Sequence, residues 1–394
     1  MTKSLSKTWL VSIIILMAGI TGFFYINHSE RPVEIRKITP PKLELKHLGK
    51  KILCHRPMRH GSPSFSVNRV GKKYIADNFG HGGSGWTLAP GAAGYVIEVL
   101  QREAGSELAK DSEITIVGAG AIGLFTALEL VSQGYTNIKI IAEKFDGLTS
   151  HNAGGLIAPV SMDNEPELQK VVNKIGIDAY RFFAKVAKGE HPVIKAGAVI
   201  VPTYFETREE SGLEPYVGVV MQPAKDVTLD FGNGTKRPMI VYDDGIFVDT
   251  GLLMQSLRQA VEGKVTFKQQ KITDFNQIES QFIFNCTGLG ARDFSKDDKV
   301  VPVQGHLIML KDQNVQDLQH MILVYFKEGK TKSGFKVKRS FYIFPKKLLG
   351  SPQNDVGVIG GTFIEGADET TPNEEEFFIM LQGAKGFYGI RPSA

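Results

Sequence analysis

The stretch from Ile114 to Glu143 reads ITIVGAGAIGLFTALELVSQGYTNIKIIAE, and it decides the fold. A short β-branched run, Ile114 to Val117, stops at Gly118-Ala119-Gly120-Ala121-Ile122-Gly123, and an apolar helical pattern follows to about Gln133. The order is strand, tight turn, helix. Gly118 permits the turn, Gly120 lets the backbone approach a pyrophosphate, and Gly123 allows helix and strand to pack closely. A diphosphate would sit on free N–H groups at the positive end of the helix dipole. A second strand, Ile138 to Ala142, ends at Glu143, where a carboxylate can accept hydrogen bonds from a ribose. A lone glycine motif could be an ordinary turn; strand, helix, second strand and acid in register point to dinucleotide binding.

The 394 residues, 42% of them hydrophobic, are enough for two cores, so a two-domain α/β protein is expected. The net charge of +4 is small for this length, and there is no long Lys/Arg block, which argues against a nucleic-acid partner. Cys54 and Cys286 lack the paired spacing of a zinc site or a disulfide framework. The nine histidines form no HExxH-type cluster, so no metal is assigned.

Thr8 to Asn27 carries no charge. Its apolar core from Trp9 to Ile26 would span about 27 Å as a helix at ~1.5 Å per residue, just enough for a bilayer interior. Trp9 and Tyr25 lie near its ends, where amphipathic rings favour the membrane interface. A single-pass N-terminal anchor over residues 1–28 is the reading, with a cleaved signal peptide or a buried core helix as alternatives. The side of the membrane on which the body lies stays open, because Arg31, Arg36 and Lys37 balance Lys3 and Lys7. Residues 29–50, with Pro32, Pro40 and Pro41 among mixed charges, read as a solvated tether.

Residues 52–70 contain β-formers broken by two prolines, as strand segments joined by a turn would. Asn78 to Thr87 then reads NFGHGGSGWT, and four glycines within Gly80–Gly85 are costly in a core strand, since each loses backbone entropy and packs nothing. They suit a backbone passing close to a flat ligand, or a flexible hinge. A helix is expected from Gly91 to about Ala104, with Tyr95, Val96, Val99 and Leu100 on one face.

Here a specific resemblance enters. The segment RPMRHGSPSFSV…IADNFGHGGSGWTLAPGAA resembles the C-terminal part of the D-amino-acid oxidase family, in which a carboxylate-binding arginine is followed by a flavin-facing HGG loop. The segment VGAGAIGLFTALEL…IIAEKFDGLTSHNAGGLIAPV resembles the same family's N-terminal FAD-binding part. Their order is reversed, which implies a circular permutation, physically cheap when the ends of a fold lie near each other. The fold implied is α/β, a Rossmann-like FAD-binding domain with a second, largely antiparallel β substrate domain. The organisation expected is anchor 1–28, linker 29–50, permuted segment 51–112 contributing to both domains, FAD-binding 113–165, substrate domain 166–245, FAD-binding 246–300, and substrate domain with active-site strands 301–394.

By resemblance, the cofactor FAD would be held by Gly118 to Gly123 (with Ala119, Ala121 and Ile122), by Glu143 and Lys144, and by Thr149 and Ser150 near the diphosphate. Gly154, Gly155 and Leu156 would line the flavin, and the loop with Gly82, Gly83, Ser84, Gly85, Trp86 and Thr87 would also lie against it. Where family members often carry a glutamine before the proline, this chain has Ala158, so a polar group near the flavin is missing. Residues 165–188 read as a core helix, and Val193 to Val241, with runs such as Val217–Val220, as an antiparallel sheet. Asp243-Asp244 before Gly245 reads as a solvated turn, and Asp249 or Thr250 as the cap of a helix from Gly251 to Val261. Val265 to Ile272 returns to the nucleotide sheet, and the resemblance puts the backbone of Ile272 at the adenine. Phe282 to Gly290 resembles the family's NCTG segment, which makes Thr287 and Gly288 cofactor candidates.

Ser340-Phe-Tyr-Ile-Phe-Pro345 and Val356 to Phe363 resemble the active-site strand and its hairpin partner, with Tyr342 at a substrate-contacting position. A second tyrosine four positions earlier in several members is Lys338 here; facing the pocket, it would favour an acidic or extended substrate side chain. Two arginines, in Arg56-Pro57 and in Tyr388-Gly-Ile-Arg391-Pro392, compete to bind the substrate carboxylate, and the C-terminal context favours Arg391.

The activity implied is FAD-dependent oxidative deamination of a small amino acid, expected to be a D-amino acid, giving a 2-oxo acid and ammonia with oxygen reduced to peroxide. A guanidinium would grip the α-carboxylate and fix Cα–H for hydride transfer. The anchor raises a second option, a membrane-bound dehydrogenase passing electrons to quinone. Lys338 and Ala158 raise a third, a non-catalytic flavin-binding protein. An NAD-dependent dehydrogenase is a weaker fourth, because the glycine motif alone does not separate the two dinucleotides. Neither the oligomeric state nor the side-chain preference follows from the sequence.

Overall fold

The run Ile114–Val117 forms a strand buried at every residue, consistent with its unbroken apolar character. It lies inside a six-stranded sheet ordered Val265–Gln269, Ile138–Ala142, Ile114–Val117, Phe282–Asn285, Lys73–Asp77 and Val67–Val70. The first five strands are parallel and the last is antiparallel. The computed structural model describes residues 33–391 apart from 161, 163, 327 and 372. The expected N-terminal anchor lies outside the described residues. Among those described, no helix is long and apolar enough to cross a membrane.

The helix after the glycine turn runs Ala121–Ser132 and packs on the helix Gly85–Ala104. That second helix starts six residues before the expected Gly91, so the glycine-rich stretch is a 3-10 turn, Gly82–Ser84, leading straight into a helix. Gly91 serves instead as a crossing point: a Cβ there would come within 2.0 Å of the carbonyl oxygen of Ile175 on the helix Pro166–Ala187. The helix Thr250–Val261 begins as expected, with the Asp249 carboxylate accepting from the N–H of Leu252 at 3.0 Å.

A second sheet of ten strands is mostly antiparallel. From the centre to one edge run Met321–Tyr325, Lys336–Lys347, Val356–Glu365, Val300–Leu310 and Leu48–Arg59. Alternation along Lys336–Lys347 separates two faces. Phe341 and Ile343 join a core with Phe377 and Phe387 of the C-terminal helix and with Tyr388 just past its end, whereas Tyr342 and Phe344 belong to the core shared with the nucleotide sheet.

Two expectations about local structure fail. Residues 34–50 are no tether: Glu34–Lys37 pairs in parallel with Lys225–Asp230, Ile38 and Leu43 are buried, and a twelve-residue strand begins at Leu48. The guanidinium of Arg36 fastens this edge by bonding both carboxylate oxygens of Asp243, at 2.5 and 3.1 Å, which also gives that acidic turn its partner. Val217–Val220 forms no strand; a 3-10 turn at Glu214–Tyr216 precedes it, and the N–H groups of Val219 and Val220 fold back to the carbonyl of Tyr216.

Candidate active site between the two sheets

The carboxyl ends of all five parallel strands open into one cavity of about 810 Å³, the position where doubly wound sheets bind ligands. Val117, Ala142, Gln270, Cys286 and Asn78 line it where those strands end. Its far wall is the second sheet, through Arg56, Leu307, Leu323, Tyr325, Tyr342, Phe344 and Thr362.

At the nucleotide end the glycines act by what they lack. Gly118 has φ +111°, and a Cβ there would meet the carbonyl oxygen of Cys286 at 2.3 Å. A Cβ on Gly123 would come within 2.0 Å of the Gly118 carbonyl, so Gly123 serves helix–strand packing and does not line the cavity. The first bond within the helix runs from Leu124 N–H to the Gly120 carbonyl, which leaves the N–H groups of Ala121, Ile122 and Gly123 without intrahelical acceptors. The Ala121 N–H reaches the Ser150 hydroxyl at 3.0 Å. Ala119, Gly120, Ala121 and Ile122 all line the cavity, as do Glu143, Lys144, Ile272, Thr287 and Gly288. Glu143 is exposed, 3.7 Å from Lys271. Asn285 shapes the turn after its strand: its amide nitrogen donates to the buried Asp77 at 2.8 Å, and its oxygen accepts from the Thr287 hydroxyl at 2.7 Å.

The two glycine-rich segments meet. Gly82, Gly83, Gly85 and Trp86 line the same cavity as Gly118 and Gly120, together with Thr149, Ser150, Gly154, Gly155 and Leu156. Trp86 holds the facing loop by donating its indole N–H to the Ser150 carbonyl at 2.9 Å, and the Thr149 hydroxyl donates to the His55 carbonyl at 3.0 Å. Ser84 and Thr87 do not face the cavity, contrary to expectation. The early helix start turns both toward the following loop, where Ser84 donates to the Val160 carbonyl at 2.5 Å and Thr87 bonds the backbone of Ala158.

At the substrate-sheet end, Arg56 donates to the Thr362 carbonyl at 3.0 Å and lies where Gly305 leaves room; a Cβ on Gly305 would come within 2.5 Å of its Nη2. Tyr342 stacks on Phe344 with centroids 4.5 Å apart and planes 6° from parallel. Burial pushes the Tyr342 phenol up against the opposing pull of Arg56, so it is a protonated donor at neutral pH. Burial likewise pushes Tyr325 up to about 12. Beneath them, burial pulls Lys346 down to about 8, while its Nζ donates to the His151 carbonyl at 3.1 Å and to the Thr250 hydroxyl at 2.5 Å.

Arg391 is not brought to this cavity, which corrects the preference for it over Arg56. The C-terminal helix Glu374–Phe387 lies on the opposite face of the substrate sheet, where Tyr388 packs against Phe231 and Phe341, and Arg391 emerges there, exposed. Other residues of the site were missed. Phe344, two positions beyond Tyr342, was within reach of strand alternation. Tyr325 was not, because it depends on its strand pairing in parallel with distant Thr203–Phe205.

The sequence profile described as FAD dependent oxidoreductase (DAO) matches residues 113–393. The chain belongs to the D-amino-acid oxidase type of FAD-dependent oxidoreductases. It is similar to a D-amino-acid oxidase of Streptomyces coelicolor, 26% identical over 271 residues that cover 68% of this chain and 74% of the relative. A D-amino-acid oxidase of Schizosaccharomyces pombe is 26% identical over 65% of this chain and 70% of its own. Among solved structures, glycine oxidase from Geobacillus kaustophilus shares the fold with a TM-score of 0.50 and 18% identity, over 69% of this chain and 77% of that one. This family binds FAD. The lining fits such a group: uncapped N–H groups and Cβ-free glycines at one end suit a diphosphate, and glycines on two facing loops leave space for a flat ring.

Proposed function

We propose that the protein catalyses FAD-dependent oxidative deamination of a small amino acid, with Arg56 as the carboxylate clamp and Tyr342 as a second donor to the substrate. The supporting observation is the convergence of Arg56 and Tyr342 on a cavity walled by Gly82–Gly83 and Gly118–Gly120. FAD, when bound, supplies the two-electron acceptor for the Cα–H hydride. The residues of the chain do the positioning. The Arg56 guanidinium retains donors beyond its bond to Thr362 and can hold a carboxylate bidentately, which fixes the direction of Cα–H. Tyr342 donates a hydrogen bond, and Leu307, Leu323 and Phe344 keep the reacting carbon in a dry, low-dielectric wall. Water then hydrolyses the imino acid to a 2-oxo acid and ammonia.

The D-configuration of the substrate and oxygen as acceptor belong to this proposal, supported by the curated D-amino-acid oxidases it resembles. So do Gly118, Ala119, Gly120, Ala121, Ile122, Glu143, Lys144, Thr149, Ser150, Gly154, Gly155, Leu156, Ile272, Thr287, Gly288, Gly82, Gly83, Gly85 and Trp86 as the cofactor's contacts, and the domain boundaries. The circular permutation belongs here too, supported by a family match that begins at 113 while Lys73–Asp77 lies beside Phe282–Asn285 in the nucleotide sheet. The apolar run Trp9–Ile26 favours a second reading, in which the body is held at a membrane and quinone accepts the electrons. The test is anaerobic mixing of the flavin-loaded protein with D-amino acids, L-amino acids and glycine. Bleaching by a D-amino acid is expected, followed by peroxide formation on admitting air. Bound flavin that no amino acid reduces would sink the reading, and reoxidation only by a quinone would replace the oxidase with the dehydrogenase.

A further inference from the structure

The charges lining the cavity are unevenly placed. Its only lining carboxylates among the described residues are Glu143, at the end of a nucleotide-sheet strand, and Asp293, after the NCTG turn. The substrate-sheet wall contributes Arg56, Lys338 and Arg339 and no acid. Arg339 is spoken for: it makes two bonds of 2.7 and 2.8 Å to the buried Glu376 on the C-terminal helix. Glu206 and Glu210, the acids near Tyr325, do not line the cavity.

Lys338 differs from Arg339. It lines the cavity together with Ser340, Tyr342 and Phe344 of the same strand. Its only ion pair among the described residues is with Glu328 at 3.3 Å, and the two side chains are 65% and 72% exposed. Such a pair is weak and readily exchanged for a partner in a less hydrated place. Lys338 also lies close to the clamp. It sits opposite Phe363 in the hairpin, and Arg56 donates to the carbonyl of the neighbouring residue, Thr362. A ligand held by Arg56 against Tyr342 would share its cavity with the largely exposed ammonium of Lys338.

We propose that the substrate carries a second carboxylate, received by Lys338 at the rim of the cavity while Arg56 holds the first. The inference rests on the reading of this cavity as an amino-acid site and adds its substrate class, a small dicarboxylic amino acid.

Two measurements test it. Binding of the non-oxidisable ligands succinate and propionate to the flavin-loaded protein is followed through the flavin spectrum, and flavin reduction is followed with D-aspartate, D-glutamate and D-alanine. Succinate is expected to bind at least 10-fold more tightly than propionate. Lys338→Met should cut that ratio, and the D-aspartate to D-alanine ratio of kcat/KM, by about 10- to 100-fold, the loss of one charge-assisted contact. Glu328→Gln, which frees the lysine, should raise the succinate preference. Equal binding of succinate and propionate, or ratios that Lys338→Met leaves unchanged, overturns the proposal. If the succinate preference depends on Lys338 but no amino acid reduces the flavin, the dicarboxylate site stands and the deamination reading fails.

Discussion

The hydroxyl of Thr87 bonds the backbone of Ala158 in both directions, donating to its carbonyl at 2.9 Å and accepting from its N–H at 3.2 Å. Both residues are buried, so no water replaces either bond. Thr87→Val keeps the shape and strands the Ala158 N–H, while the Ala158 carbonyl keeps its bond from the Val160 N–H at 2.9 Å, and should destabilise the fold by roughly 2 kcal/mol. Thr87→Ser should recover most of that loss. Urea unfolding of the three proteins decides the matter; an unchanged midpoint for the valine variant would show that the bonds contribute nothing.

Gly118→Ala and Gly123→Ala each place a methyl group within 2.3 Å of a backbone carbonyl oxygen, at Cys286 and Gly118 respectively. Backbone at the sheet centre cannot yield cheaply, so both variants should lose bound flavin or fail to fold. Gly120→Ala meets only the Ser150 hydroxyl, at 3.1 Å, and should fold with weakened flavin affinity. The ratio of flavin to protein absorbance after purification ranks the three.

Arg56→Ala should raise KM for amino acids by about 100-fold, the scale of a lost bidentate charged contact, while flavin stays bound. Arg391→Ala should change KM by less than about twofold, because the residue lies exposed beyond the opposite face of the sheet. Steady-state kinetics with both variants would reverse this assignment if only Arg391→Ala raised KM.

Burial lowers Lys346 from an ordinary 10.5 to about 8, with Asp249 opposing. In that interval the unfolded chain binds the extra proton and the folded chain does not, so this group makes stability rise with pH through the window. Below it both states are charged, and the burial cost is constant. Wild type should gain up to about 3 kcal/mol relative to Lys346→Met between roughly pH 8 and 10. Urea midpoints that run parallel in the two proteins across that range would show that the lysine is not perturbed.

The nucleotide half of the site was legible because its chemistry is local. Backbone N–H groups grip a diphosphate, and the glycines that expose them fall at fixed spacing within one turn and the start of one helix, so the arrangement is written in one short stretch. The substrate half was not. Arg56 and Arg391 sit in similar Arg-Pro contexts, and only the packing of Phe377, Phe387 and Tyr388 on one sheet face decides which arginine reaches the cavity. Thr87 was misread for a related reason. Its residue type suited a ligand, but a helix starting at Gly85 rotates it toward Ala158.

The strand Phe282–Asn285 lies between Ile114–Val117 and Lys73–Asp77. During synthesis both neighbours leave the ribosome long before it does, with unpaired edges facing a gap. The side-chain bond from Asn285 to Asp77 closes that gap across 208 positions of chain. The nascent polypeptide therefore completes its sheet only once translation has passed Asn285, and until then two apolar strand edges stand open to chaperones or to neighbouring chains.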